Sequence, residues 1–184
     1  YPMCAANWGK FPLIVQHGGT YYRQNPKAMN AFFNNLTQQT VIQCPDLLNL
    51  GTKHESLIYY PVDTTMIRPD FSKKGDKLVV GHFPSNPGVK GTETIYNAVK
   101  DIEGIDYIGA RSGEVWAQKP WAENLRRFLA CDVIIETCAP DQNGKPYGEW
   151  GNTALEAAAS GCVIVSNSTH QDIYKKEYGD KLVP

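Results

Sequence analysis

Lys77 to Phe83 (KLVVGHF) and Val133 to Thr137 (VIIET) are short apolar runs, each followed by a polar loop with a helix signal beyond it. VIIET in particular has the continuous apolar character of a strand covered on both faces, as parallel strands are. Between the two runs the sequence predicts a helix from about Gly91 to Lys100 and a strand over Asp106 to Gly109. A further helix is expected from about Pro120 to Ala130, with Trp121, Leu125, Phe128 and Leu129 on one side. Downstream, Asn152 to Ala159 reads as a helix closed by Gly161, and Val163 to Ser166 (VIVS) as another strand. Regular alternation of strand and helix predicts an α/β fold with a doubly wound, parallel, Rossmann-like sheet over 77–184.

Upstream the pattern is similar but shorter. Phe11 to Gln16 is an apolar run ending at His17-Gly18-Gly19, where the glycine pair marks a sharp turn. Asn25-Pro26 opens a helix with Met29, Phe32, Phe33 and Leu36 at helical spacing. Thr40 to Cys44 and Ser56 to Tyr60 read as two more strands. Residues 1–64 are therefore expected to form part of a second Rossmann-like domain. The proline-bracketed, charged stretch 65–76 is expected to be a linker. The chain begins at Tyr1 rather than Met, and its last helix signal stops almost as it starts, which reads as a fragment of something longer.

With 184 residues, 42% of them hydrophobic, the chain is long enough to bury a core without metal or disulfide staples. A formal net charge of −1 offers no general attraction to nucleic acid or an acidic membrane. No apolar window is long enough for a membrane span. The five cysteines form an odd set without CxxC spacing, which argues against zinc or a disulfide framework. Cys131 and Cys162 lie in apolar runs suited to buried thiols, and a reducing cytoplasm is the expected location.

In open parallel sheets ligands bind beyond the carboxyl ends of the strands. The loops Pro84–Gly91, Ala110–Gly113 and Cys138–Gly151 all leave such ends. Lys90-Gly91 enters a helix, whose first N–H groups and positive pole suit phosphate, with the Lys90 charge beside them. The alternative is a solvated lysine before a glycine turn. Neither a Walker motif nor a GxGxxG fingerprint is present. Asn152 or Thr153 can cap the next helix, and Ala157, Ala158 and Ala159 let it lie close to the sheet. Glu156 within that helix needs a partner, either a neighbouring cation or a pair of sugar hydroxyls. His17 either presents its imidazole to the cleft or sits on a structural turn. Arg23 either reaches a phosphate or caps the surface. Trp116, Trp121 and Trp150 are candidates for base stacking, with Trp121 better suited to the core.

The run Gly148 to Val165 (GEWGNTALEAAASGCVIV) resembles the E-x7-E region of family 4 retaining glycosyltransferases, which reads EGFG-x-x-x-LEAMA-x-G-x-PVV. Gly81 to Gly91 (GHFPSNPGVKG) resembles the first-strand loop of that family, and Pro61 to Pro69 (PVDTTMIRP) its crossover into the second domain. The resemblance covers roughly residues 60–178 and implies a GT-B architecture of two Rossmann-like domains. It implies a hexosyltransferase that moves a sugar from a nucleoside diphosphate to an acceptor hydroxyl, without metal or other cofactor. By position, Lys90 would neutralise the diphosphate, Glu156 would hold the ribose, and Gly91 and the amides of Gly151, Asn152 and Thr153 would lie beside the phosphates or sugar. His17 would approach the donor sugar from the other domain.

Two positions depart from the pattern. The family's first glutamate falls on Gly148, with Glu149 one place later as its substitute. The family's arginine falls near His82, leaving Arg111 as another basic group for the phosphates. Two other readings stand beside transfer: a nucleotide-sugar-binding module without catalysis, and a sugar-nucleotide epimerase.

Overall fold

A computed structural model describes residues 10–73, 75–139, 150–167 and 169–179. The chain divides into two compact units. One takes the described residues up to Tyr59 together with those from His170 on; the other runs from Tyr60 to Thr169. Both are α/β with parallel sheets, a Rossmann-like arrangement.

In the first unit, β1 (Ile14–His17), β2 (Gln39–Ile42) and β3 (Glu55–Leu57) form a parallel sheet in that order. Gly19, at φ +70°, turns the chain out of β1 straight into a short helix, α1 (Gly19–Gln24), where the glycine pair predicts only a sharp turn. Asn25 follows, and Pro26 starts α2 (Pro26–Phe33), since the fixed φ of proline suits a first helical turn. Tyr22, Ile42 and Leu47 form the core, with Met29 and Leu57 packed on it. A polar ladder ties α1 and α2 to the loop beyond β2: the Tyr22 hydroxyl meets Asn30 Oδ1 at 3.1 Å, and Asn30 Nδ2 donates to the Leu50 carbonyl at 2.9 Å.

In the second unit, β4 (Leu78–His82), β5 (Ile105–Gly109), β6 (Val133–Thr137) and β7 (Val163–Ser166) are parallel in the order β5-β4-β6-β7. The helices are α3 (Pro87–Lys90), α4 (Thr92–Val99), α5 (Trp121–Ala130) and α6 (Asn152–Ala159). The strands' two-residue period sends alternate side chains to opposite faces. Val79, Ile108, Ile134 and Ile164 pack with Phe128 of α5 and Ala157 of α6, whereas Val80, Tyr107, Val133 and Ile135 pack with Ile95 and Val99 of α4. The sheet is thus wound on both sides, and each fully buried Ile or Phe contributes about 1.5–3 kcal/mol. Cys131 and Cys162 are buried among these side chains.

The segmentation differs from the sequence reading at both ends of the second unit. The stretch 65–76 packs as part of that unit: Ile67 is buried, and a β-carbon on Gly161 would lie 2.9 Å from Pro69 Cβ. The last described helix, α7 (Gln171–Tyr178), groups with the first unit. Its Tyr174 is buried and stacks on Tyr59 at 5.4 Å between ring centroids. No described helix is long and apolar enough to cross a membrane.

Two buried histidines make stability pH-dependent. His82 is fully buried, and burial pushes its pKa below the usual value; the Lys90 charge adds to this, while its bond to the Ile135 carbonyl opposes it. Burial lowers His17 as well. Their folded pKa values lie below that of an unfolded histidine, about 6.5, so the unfolded chain binds more protons once the pH falls through that value. Stability is therefore expected to be full above about pH 6.5 and to decline on acidification, before the carboxylates titrate. Urea midpoints measured between pH 8 and pH 5 check this, and a flat profile would contradict it. A His82→Gln variant should show a shallower decline.

Candidate functional site

The chain passes from β4 to β5 on one side of the sheet and returns to β6 on the other, so its direction reverses between β4 and β6. The carboxyl ends of those two strands are the usual ligand position in such sheets. Asn86 initiates α3 there, its Oδ1 accepting from Val89 N at 3.3 Å, with Pro87 in the first turn. The helix ends at Gly91, which adopts φ +75° and leads into α4. A side chain at Gly91 would meet backbone: its β-carbon would lie 2.8 Å from Ala139 N. The Lys90 carbonyl accepts from Cys138 N at 3.2 Å, stitching this turn to the chain leaving β6.

That stitch fixes the origin of the Lys90 side chain. Its Nζ donates to Glu136 Oε1 in a short ion pair, with side-chain exposures of 13% for Lys90 and 5% for Glu136. The amino end of α6 completes the group. Gly151 is the N-cap residue, and its missing β-carbon would lie 2.9 Å from Glu136 Oε1 and 3.7 Å from Lys90 Nζ. Glycine here lets the helix terminus approach both charges. Among the described residues no cap side chain serves the first-turn amides of α6. An ammonium, a carboxylate and a helix amino terminus thus converge at the switch point: a cation and amides for an anion, and carboxylate lone pairs for hydroxyl donors. Beside Glu136, Thr137 is fully buried and its hydroxyl has no partner among the described residues.

The other residues singled out in the sequence are placed as follows. Asn152 and Thr153 lie in the first turn of α6, so the cap position belongs to Gly151, whose extended backbone leads into the helix. Glu156 accepts from Trp121 Nε1 at 2.9 Å, so its partner is an indole on α5 rather than a cation. Trp121 is accordingly not a core residue; it is 49% exposed, lying over the seam between the helices. Trp116 serves the core wall instead, donating to the Pro84 carbonyl at 2.9 Å and packing beside Phe83. Arg111, beyond the edge strand β5, is exposed and lies 3.8 Å from Glu114. Glu149 and Gly148 lie outside the described residues.

His82 does not stand in for a phosphate-binding arginine. Its Nδ1 lies 2.7 Å from the Ile135 carbonyl and its Nε2 2.8 Å from Thr92 Oγ1. A carbonyl can only accept, so Nδ1 carries the proton and Nε2 accepts from the threonine. Both nitrogens are spent joining β4 to β6 and α4. In the first unit, His17 ends β1 with 2% exposure, stacked on Tyr22 at 4.0 Å, and its Nε2 has no partner among the described residues. Arg23 is held in a two-point pair with Asp46, its Nη2 donating to Oδ1 at 3.1 Å, so it neither reaches out for a phosphate nor caps the surface.

Glu136 is the member that sequence reasoning passed over. Its signal was present: a lone carboxylate one place from the end of an otherwise apolar strand. Such a group is tolerated in a parallel sheet when something charged or polar meets it.

Fold and site together define a Rossmann-like α/β protein whose second sheet carries a buried ion pair beside a helix amino terminus at its switch point. In comparisons with known proteins the chain matches no family model and no curated sequence.

Proposed function

We propose that the chain binds a nucleoside diphosphate-sugar at the carboxyl edge of the second sheet and transfers the sugar, with retention, to an acceptor hydroxyl. The observation that carries this reading is the placement of Lys90 Nζ at the amino end of α6, over the ends of β4 and β6. The helix terminus and the ammonium provide the charge complement a diphosphate needs. In transfer, the bond from the anomeric carbon to the β-phosphate oxygen breaks and its electron pair stays on the phosphate. The acceptor oxygen bonds to that carbon on the same face and gives its proton to the departing diphosphate. Charge grows on the leaving oxygens, and Lys90 with the α6 amides stabilises it where it develops.

A second reading, donor binding without transfer, is favoured by the Lys90–Glu136 pair: the lysine charge is already countered before any ligand arrives. Calorimetric titration with UDP-glucose, ADP-glucose and GDP-mannose, followed by turnover assays with carbohydrate acceptors, separates the two. Lys90→Gln removes the charge yet can still donate to Glu136, so the fold is retained. It should weaken diphosphate binding by about 1–3 kcal/mol, the range for a lost charged hydrogen bond. Unchanged affinity removes Lys90 from the site, and an absence of binding to every nucleotide removes the proposal.

A further inference from the structure

The buried Lys90–Glu136 pair sets a condition on what can bind beside it. A ligand phosphate that draws Lys90 Nζ away leaves Glu136, 5% exposed, as a carboxylate without its counter-charge. An uncompensated buried carboxylate is costly unless new hydrogen bonds reach it. Phosphate oxygens cannot supply them, because an ionised phosphate only accepts. Hydroxyl groups can, and a carboxylate takes two neighbouring hydroxyls at once. Gly151 keeps a side chain out of the space beside this carboxylate, where a β-carbon would fall 2.9 Å from Glu136 Oε1.

We infer that Glu136 is a specificity-determining residue that makes the site require vicinal hydroxyls next to the phosphate. Such a ligand replaces the lost ammonium at Glu136 with two O–H donors while its phosphate takes Lys90. Pyrophosphate breaks the pair and offers nothing in return. This inference rests on the donor-site reading above. The diol is carried by the ribose or by the transferred sugar, which flank the diphosphate on its two sides.

Calorimetry on the full chain with pyrophosphate, 2′-deoxy-UDP, UDP and UDP-glucose tests it, because successive probes add the ribose diol and then the sugar diol. In the wild-type protein, affinity should rise about tenfold or more at one of those two additions, and that addition identifies the diol Glu136 meets. In Glu136→Gln the same step should shrink to about twofold, while pyrophosphate binds as well as before or better, because Lys90 is released to it. Equal weakening of all four probes in Glu136→Gln would show that the carboxylate only positions Lys90, and the inference falls. Wild-type affinities that ignore both additions overturn it without recourse to any variant, leaving diphosphate binding intact. A wild-type chain that binds none of the four sinks the donor-site reading and this inference together.

Discussion

Replacing Lys90 by Met should lower the stability of the second unit by about 3–5 kcal/mol, the usual cost of removing one partner from a buried ion pair. Glu136 projects from the end of a central strand with only 5% of its side chain exposed, and without Lys90 its charge is left uncompensated. The reverse change should cost less. The Lys90 ammonium ends a flexible four-carbon stem, is 13% exposed, and can turn toward solvent when Glu136→Leu removes its partner. The double variant Lys90→Met/Glu136→Leu should recover most of the loss, because two well-packed apolar side chains often replace a buried pair at no net cost. Urea midpoints at constant m-value give the three numbers. If Lys90→Met is neutral, the pair is not buried in solution and the site lacks its organising contact. Recovery of stability in the double variant would leave the proposed donor affinity lost, so the pair would be kept for ligand chemistry and not for folding.

The sheet in the second unit was legible because its strands are continuous apolar runs between glycine and proline punctuation, a signal that needs no tertiary context. VIIET and VIVS coincide with β6 and β7 for that reason. The elements missed have weak local signals. α3 is a single turn of PGVK, visible only once Asn86 caps it and Gly91 ends it against the backbone at Ala139. α7 is polar along most of its length, and burial of Tyr174 against Tyr59 places it with the first unit. Its destination was therefore a tertiary fact.

The site followed the same division. Alternation of elements already puts Lys90 and Gly151 in loops beyond the carboxyl ends of parallel strands, but their meeting at the switch point depends on the strand order β5-β4-β6-β7, which alternation leaves open. The partners of the charged groups did not. Whether Glu156 meets a cation or an indole depends on the crossing of α5 and α6, and whether His82 faces ligand or core depends on which face of β4 it shares with Val80. Those are questions of register and packing, to which a strand's residue types are silent.

Gly109→Ala should be the most damaging single methyl group in the second unit. Gly109 closes β5 opposite His82 with φ +124°, a conformation that an alanine adopts only under strain of about 1–3 kcal/mol. Its added β-carbon would stand 2.1 Å from the His82 carbonyl oxygen and 2.9 Å from the His82 carbonyl carbon, and neither can rotate aside. Relief requires the ends of β4 and β5 to separate, which breaks the 2.9 Å bond from Ala110 N to that same carbonyl. It also pulls on the residue whose ring joins β4 to the Ile135 carbonyl and to Thr92 of α4. The overlap adds a further cost of about 1–3 kcal/mol, as inserting carbon into a packed interior does. Gly104→Ala is the matching control: φ is +84° there, but nothing lies within 4 Å of the new carbon. It should cost about 1–2 kcal/mol, the conformational part alone. The difference between the two variants combines the contact between strands with the extra strain of the more extreme φ at Gly109. Equal midpoints for Gly104→Ala and Gly109→Ala would mean that β5 does not approach His82 as closely as this register requires, and the carboxyl edge that carries Lys90 and Glu136 would then be built differently.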